Sequence, residues 1–405
     1  MGNSVAAPFV DDGLAKRNAL LLAFTQSFAG GVPPIIFATT SILASTLLVE
    51  DKSLATLPVT AFVLGTAIGT MPAGMLMRAF GRRAGLAGAL IFGMLCALLA
   101  SYAAYIGSFS LLCLSTLGSG FVMAFTQQAR FAAADTASPA FKPKAISWVL
   151  TGGILAGVVG PQTVILTQGM FEPFLFVGTY LAQAVLLAIG LVFVVFLKIP
   201  LPAKLEKHER GRPLLEILKQ KKFFVAVTTG MIGYAIMNLI MTSAPLAMVA
   251  CGLSTDDAAL GIQWHVIAMF APSFITGSLI GRFGHGPVIG AGFVLYAICA
   301  LVGLTGLERW IFWSSLVLLG LGWNFSFVGA SALLTQTYRA EEQNRIQAVN
   351  DFFVFGLVAA ASFSSGKLLN VFGWETVNMM VFPFVIICLF LVMSLMFTER
   401  REVKV

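Results

Sequence analysis

The chain of 405 residues predicts an all-α integral membrane protein, with twelve transmembrane helices in two pseudo-symmetric six-helix bundles. Three observations carry that prediction. Hydrophobic residues make up 58% of the chain and charged residues 11%, with a mean hydropathy of +0.91. A soluble domain carries roughly a quarter charged residues, whereas a polytopic helical protein needs charge only in its loops. Apolar runs long enough to cross a bilayer recur twelve times. Finally, the basic stretch Gly74-Met-Leu-Met-Arg-Ala-Phe-Gly-Arg-Arg83 returns 203 residues later as Gly277-Ser-Leu-Ile-Gly-Arg-Phe-Gly-His-Gly286, about half the chain length.

A hydrocarbon core of about 30 Å takes roughly 20 helical residues. Span 1, expected over 19–48, begins after Lys16-Arg17 and carries Gly30-Gly31-Val-Pro-Pro34, a sequence suited to a bend. Spans 2 and 3, over 54–78 and 84–106, flank the first basic stretch; span 4 runs over 109–133. Span 5, over 145–168, contains Gly153, Gly157, Gly160 and Pro161, which favour close packing and a kink, and span 6 covers 173–198. A long polar interruption from Leu201 to Lys222 follows, in which Pro213 starts a short amphipathic helix. Spans 7 and 8 are expected over 223–250 and 258–281. Spans 9 to 12 follow over 287–306, 310–336, 346–370 and 376–397. The expected organisation is an N-terminal bundle over 1–198, a cytoplasmic linker over 199–222 and a C-terminal bundle over 223–405.

Orientation follows from the basic residues. With both termini cytoplasmic, only Lys52, Arg309 and Lys367 fall outside, so 22 of the 25 Lys and Arg lie inside, as the positive-inside rule requires. The net charge of +7 then reflects loop asymmetry, and no nucleic-acid partner is expected because the basic residues are not clustered with exposed aromatics. The five cysteines, Cys96, Cys113, Cys251, Cys299 and Cys388, have no metal-ligand spacing and read as small core residues. The three histidines are scattered, and no phosphate-cradling loop is present, so neither catalysis nor a cofactor is expected. No removable signal peptide is expected either.

Two halves of six helices are the arrangement of a major facilitator transporter, and the repeated stretch resembles that family's loop between its second and third helices, Gly-x-Leu-x-Asp-Arg-x-Gly-Arg-Arg. The first copy matches at Gly74, Leu76, Gly81, Arg82 and Arg83; the second keeps Gly277, Leu279, Arg282 and Gly284. Where the family pattern carries its acid, this chain has Arg78 and, in the second copy, Gly281. The resemblance assigns that acid to a charge latch between the halves, so a latch here needs another acceptor: Asp135, Glu341, Glu342 or Asp351. The alternative is that the arginines only fix topology. In span 5 half of the Gly-Pro-x-x-Gly-Gly pattern of proton-coupled antiporters is present, and span 4 lacks their arginine.

A polar residue well inside a span is costly against lipid and therefore faces the protein interior. The resemblance makes helices one, four, seven and ten the inner ones. The substrate-binding candidates are thus Gln26, Gln127, Gln128, Asn238, Trp323 and Asn324, although each amide serves equally as interhelical glue. Arg130, Trp148, Tyr234, Gln263, Trp264, His265, Asn350 and Asp351 are further path candidates, with a gate or loop charge the expected role of Arg130 and a structural hydrogen bond that of His265. The gate and loop candidates are Gly74, Arg78, Gly81, Arg82, Arg83, Arg130, Asp135, Gly277, Arg282 and Asp351. Amides and aromatics without a midplane carboxylate suit a neutral or weakly charged, partly planar organic solute.

The expected function is secondary transport of a small organic molecule by alternating access, by a monomer in the cell inner membrane. The segments Arg130-Phe-Ala-Ala-Ala-Asp-Thr-Ala-Ser-Pro139 and Trp264-His-Val-Ile-Ala-Met-Phe-Ala-Pro-Ser-Phe274 resemble a bacterial branch of the superfamily associated with riboflavin-type vitamin uptake. That resemblance implies uptake of a flat, vitamin-like solute. Efflux of drugs or metabolites by proton antiport is the alternative, and a non-transporting receptor or lipid-handling protein is a third class.

Overall fold

A computed structural model of the chain describes residues 11–48, 51–133, 135–138, 141–200, 211–339 and 342–402. Glu341 and residues 201–210 of the linker lie outside these. All regular structure among the described residues is helical.

Span 1 is two helices, Asp12–Ala29 and Val32–Leu47, broken at Gly30 and Gly31. It starts seven residues before the expected boundary because polar groups hold its first turn. Asp11 caps the helix by accepting from Leu14 N, and Asp12 accepts from Ser138 N and Oγ at 2.8 Å each. Spans 2 and 3 are Leu57–Phe80 and Arg82–Ile106, and span 4 is Phe109–Thr126 continued by Ala129–Ala132. Spans 5 and 6 are Lys142–Thr167 and Val177–Val195. In the linker, Pro213 precedes the short helix Leu214–Leu218, whose Ile217 is fully buried while Leu215 is exposed.

Span 7, Lys221–Ala250, is buried on every face from Ala235 to Pro245. Span 8 is the bent pair Thr255–Phe270 and Ser273–Phe283, with 41° between them. Span 9 is His285–Gly303. Span 10 runs as Arg309–Trp323, a π-helical turn Asn324–Val328, and Gly329–Leu334. Helix runs from Gln343 to Met379 with a single non-helical residue, Gly373 at φ 82°, ψ 174°, which folds the chain back. That residue separates span 11 (343–372) from span 12 (374–402). With that division and the bent pair counted as one, the described residues make twelve crossings, with the first and last described residues at one end, here called the terminal end; the other is the far end.

The repeat has a structural signature. Gly81 (φ 86°, ψ 159°) joins spans 2 and 3 as a single residue, and Gly284 (φ 84°, ψ 171°), in the equivalent place of the second copy, joins spans 8 and 9. This backbone region is essentially open only to glycine. Elsewhere glycine buys close approach: a Cβ on Gly120 would sit 1.9 Å from Phe62 O, and one on Gly65 2.0 Å from Leu117 O, so spans 2 and 4 pack backbone to backbone. The outward faces of spans 3, 6, 9 and 12 expose Leu95, Val192, Leu301 and Phe390 at 55 to 66%. Such faces match acyl chains and not water.

Candidate functional site

The two sets of six spans meet chiefly at the far end. Among the described residues, every side-chain hydrogen bond that joins spans 1–6 to spans 7–12 lies there. Thr56 Oγ1 donates to Ser362 O at 3.0 Å and accepts from Gly366 N at 3.1 Å, while Thr60 Oγ1 donates to Ser362 Oγ at 3.1 Å. Gln162 Nε2 donates to Gln263 Oε1 at 2.9 Å, and Gln168 donates to Asp256. Below these bonds, spans 5 and 8 touch through glycine: a Cβ on Gly157 would lie 2.7 Å from the Val266 side chain, and one on Gly153 3.8 Å from the Phe270 ring. The seam between the halves is therefore closed from the far end down to Phe270.

At that depth five rings gather. Tyr234 of span 7 lies edge-on to Trp323 and Phe327 of span 10, with centroids 5.6 and 5.1 Å away, and 6.1 Å from Phe355 of span 11. Trp323 stacks on Phe327 at 5.1 Å and 20°, and Phe270 stands 6.1 Å from Trp323. Tyr234, Phe270, Phe327 and Phe355 are only half-buried, as expected of rings lining a solvent-accessible space. Trp323 is 8% exposed, and its indole Nε1 has no hydrogen-bond partner. A buried donor without an acceptor is costly, and this one belongs to a ring of the cluster.

Four of the five sequence-nominated amides, Gln26, Gln127, Gln128 and Asn324, fall where the backbone is irregular. Gln26 lies in the last turn before the break of span 1, folded against Gly30, whose added Cβ would be 2.6 Å from its Nε2. Gln127 and Gln128 form the break in span 4 and are half-buried. Trp323 and Asn324 open the π-helical turn of span 10. Irregular backbone at membrane depth is tolerated where it lines a cavity or binds. Asn324 is fully buried and fully engaged: Nδ2 donates to Met269 O and Ser273 Oγ at 2.7 Å each, and Oδ1 accepts from Thr276 at 2.5 Å. It holds the bend of span 8, and so places Phe270. Asn238 sits in regular helix and donates at 3.5 Å to Val358 O, tying span 7 to span 11. Gln263 belongs to the far-end seam. His265 is fully buried with Nδ1 bonded to Leu316 O at 2.9 Å, and Trp264 faces outward at 43% exposure.

Of the gate and loop candidates, Arg82 Nε donates to Asp135 Oδ2 at 2.9 Å. Both residues belong to spans 1–6 and their loops, so this pair braces one half. Arg78 and Arg83 are exposed; Arg78 is in reach of the space beside Gly74, and Gly277 faces open space. Arg282 lies exposed over Phe283 at 5.2 Å. Glu342 accepts from Arg212 of the linker, Nη2 to Oε2 at 2.7 Å, and from Arg339 N at 2.9 Å, and among the described residues from none of Arg78, Arg82, Arg83 and Arg282. Hydrogen bonding to Arg212 holds its carboxyl down at about 2. Arg130 and Asp351 come from opposite halves, and Arg130 is within electrostatic reach of both Asp351 and Tyr234.

Phe270, Phe327 and Phe355 escaped the sequence reading because nothing marks three phenylalanines out of 35. The spacing of Asp351, Phe355, Val358 and Ser362 at steps of four, three and four held the signal: it sets one face of span 11 from the passage to the far-end seam.

The family model of the Major Facilitator Superfamily matches residues 19–272 and 262–405. A riboflavin transporter, RfnT, of Brucella anthropi is 45% identical over 378 residues, covering 93% of this chain and 94% of that protein. The MFS-type transporter YddS of Bacillus subtilis is 30% identical, covering 90% and 87% respectively. Among solved structures, the nucleoside transporter NupG superposes with a TM-score of 0.68 at 14% identity, covering 94% of this chain and 98% of that one, a likeness of fold. Twelve crossings, paired glycine joints and sequence likeness along almost the whole chain agree: the protein belongs to the major facilitator superfamily of transporters.

Proposed function

We propose that this transporter takes up riboflavin, and that the flavin ring lies among Tyr234, Phe270, Trp323, Phe327 and Phe355. The observation that carries the reading is the aromatic cluster at the closed end of the passage with the unpartnered Trp323 indole N–H. A flat conjugated ring with carbonyl and ring-nitrogen acceptors offers both the stacking surface and the missing acceptor. The 45% identity to a protein named for riboflavin transport points the same way. Gln26, Gln127 and Gln128 supply amides along the path, Asn238 ties span 7 to span 11, and Asn324 acts through the bend it holds.

The terminal end is cytoplasmic in this reading, placing 22 of 25 basic residues inside, with the protein a monomer in the inner membrane. The arrangement is then inward-facing. Units 1–198 and 223–405 rock about the site, joined by 199–222, and the far-end bonds of Thr56, Gln162 and Gln168 part when the passage opens outward.

Expression in a bacterium unable to make riboflavin tests the proposal. Growth on low vitamin should be rescued; failure of rescue, with the protein present in the membrane, removes riboflavin as the substrate.

A further inference from the structure

The aromatic cluster has a polar rim on its terminal-end side. Asp351 stands one turn before Phe355 on the same face of span 11, about 6 Å closer to the terminal end. Arg130 comes from the last turn of span 4, on the opposite half, within electrostatic reach of Asp351 and Tyr234. Neither charge is spent elsewhere. Asp351 accepts one hydrogen bond, from Asn350 Nδ2 at 3.1 Å, and among the described residues Arg130 forms none, its guanidinium lying 4.8 Å over the Phe131 ring. The other charged groups of the terminal end are engaged with one another or begin spans: Asp135 accepts from Arg82, Glu342 from Arg212, and Arg345, six residues before Asp351, donates to Arg212 O, while Asp12, Lys16 and Arg17 open span 1 and Lys142 and Lys144 open span 5; Asp256, Asp257, Arg309 and Lys367 are at the far end. The rim therefore carries one positive and one negative group. Because the seam is sealed beyond Phe270, a chain attached to a ring in the cluster must extend toward the terminal end, past Asp351 and Arg130.

We propose that Asp351 is a charge filter: it balances Arg130, so that the site admits the uncharged flavin with its hydroxylated side chain and rejects the phosphate ester of that side chain. The inference rests on the flavin reading of the cluster. A phosphate monoester carries roughly −1.5 to −2 charges at neutral pH, and its approach to a carboxylate in a narrow, partly dehydrated passage is repulsive. Neutral hydroxyls instead donate to the carboxylate or accept from the guanidinium, so the carboxylate that repels phosphate and the guanidinium whose attraction it offsets together orient the free alcohol.

Purified protein titrated with riboflavin and with its 5′-phosphate, read by quenching of flavin fluorescence, tests the filter. The native protein should prefer riboflavin by at least about tenfold. Asp351→Asn should shrink that preference about tenfold or invert it, because Arg130 is left unopposed, and Arg130→Gln added to it should abolish the gain. Arg130→Gln alone should widen the preference, an independent reading should Asp351→Asn not fold. Equal native affinities overturn the filter, as does an Asp351→Asn protein that binds riboflavin with native discrimination, or no widening in Arg130→Gln. A native protein that binds neither flavin removes the flavin reading itself, and the filter with it.

Discussion

Replacing Trp323 separates the two things its indole offers a ligand. The ring stacks on Phe327 at 5.1 Å and meets Tyr234 and Phe270 edge-on at 5.6 and 6.1 Å; its Nε1 donor is unused. Stacking of a base-sized ring on an aromatic side chain is worth about 1–3 kcal/mol, so Trp323→Ala should weaken riboflavin binding roughly 5- to 150-fold. Trp323→Phe keeps a stacking face and loses only the donor, about 0.5–1.5 kcal/mol, or roughly 2- to 12-fold. Fluorescence quenching in detergent or nanodiscs gives both dissociation constants. The alanine variant also leaves a cavity among Tyr234, Phe270 and Phe327, at a cost of roughly 3–5 kcal/mol, so its thermal unfolding must be followed alongside; the phenylalanine variant escapes most of that loss. Both variants binding within twofold of native protein would refute the placement of the flavin.

Gly157→Leu should hinder far-end closure, since even a Cβ there lies 2.7 Å from the Val266 side chain. Cysteine cross-linking across spans 5 and 8 at the far end should fall, and unchanged cross-linking would contradict the seam. Glu342 is occluded by the linker, not by depth among the helices: its side chain is 0% exposed beneath Arg212 and Gly211. Its folded-state value of about 2 lies below the ordinary 4.5, so docking is fully supported above about 4.5 and lost as pH falls through about 2. Pepsin should spare 211–222 at pH 4 and cut it near pH 2, whereas Glu342→Gln should be cut at both; equal resistance would contradict this anchor. Cys251 is the exposed member of five free cysteines and follows span 7 at the far end. A membrane-impermeant maleimide should label it in intact cells after outer-membrane permeabilisation; labelling only after lysis would reverse the proposed orientation.

The fold was legible because bilayer solvation acts on every residue of a span, and it is written in composition, run length and the placement of Lys and Arg. The glycine joints were legible for a different reason: one backbone geometry excludes side chains, so Gly81 and Gly284 mark their positions. Boundaries were less so. Asp12 extends span 1 through a bond to Ser138, 126 residues away in sequence, and Gly373 turns spans 11 and 12 with no polar loop to announce it. For the site, a polar residue in an apolar run stands out, so Gln26, Gln127 and Trp323 were nominated; whether an amide faces the passage or a neighbouring carbonyl depends on packing. Asn324 illustrates this, its three bonds committing it to the bend of span 8. The far-end bonds of Thr56, Gln162 and Gln168 pair residues across the two halves, a relation that local pattern does not encode.

The most direct test of the account is uptake by the purified protein in sealed liposomes of uniform orientation, loaded against a panel of riboflavin, its 5′-phosphate, nucleosides and cationic drugs, with and without a proton gradient. Saturable accumulation of riboflavin that is competed by excess riboflavin and lost in Trp323→Ala is the predicted result. Transport of a drug or nucleoside in preference to riboflavin, or riboflavin entry no faster than into protein-free liposomes, would contradict it.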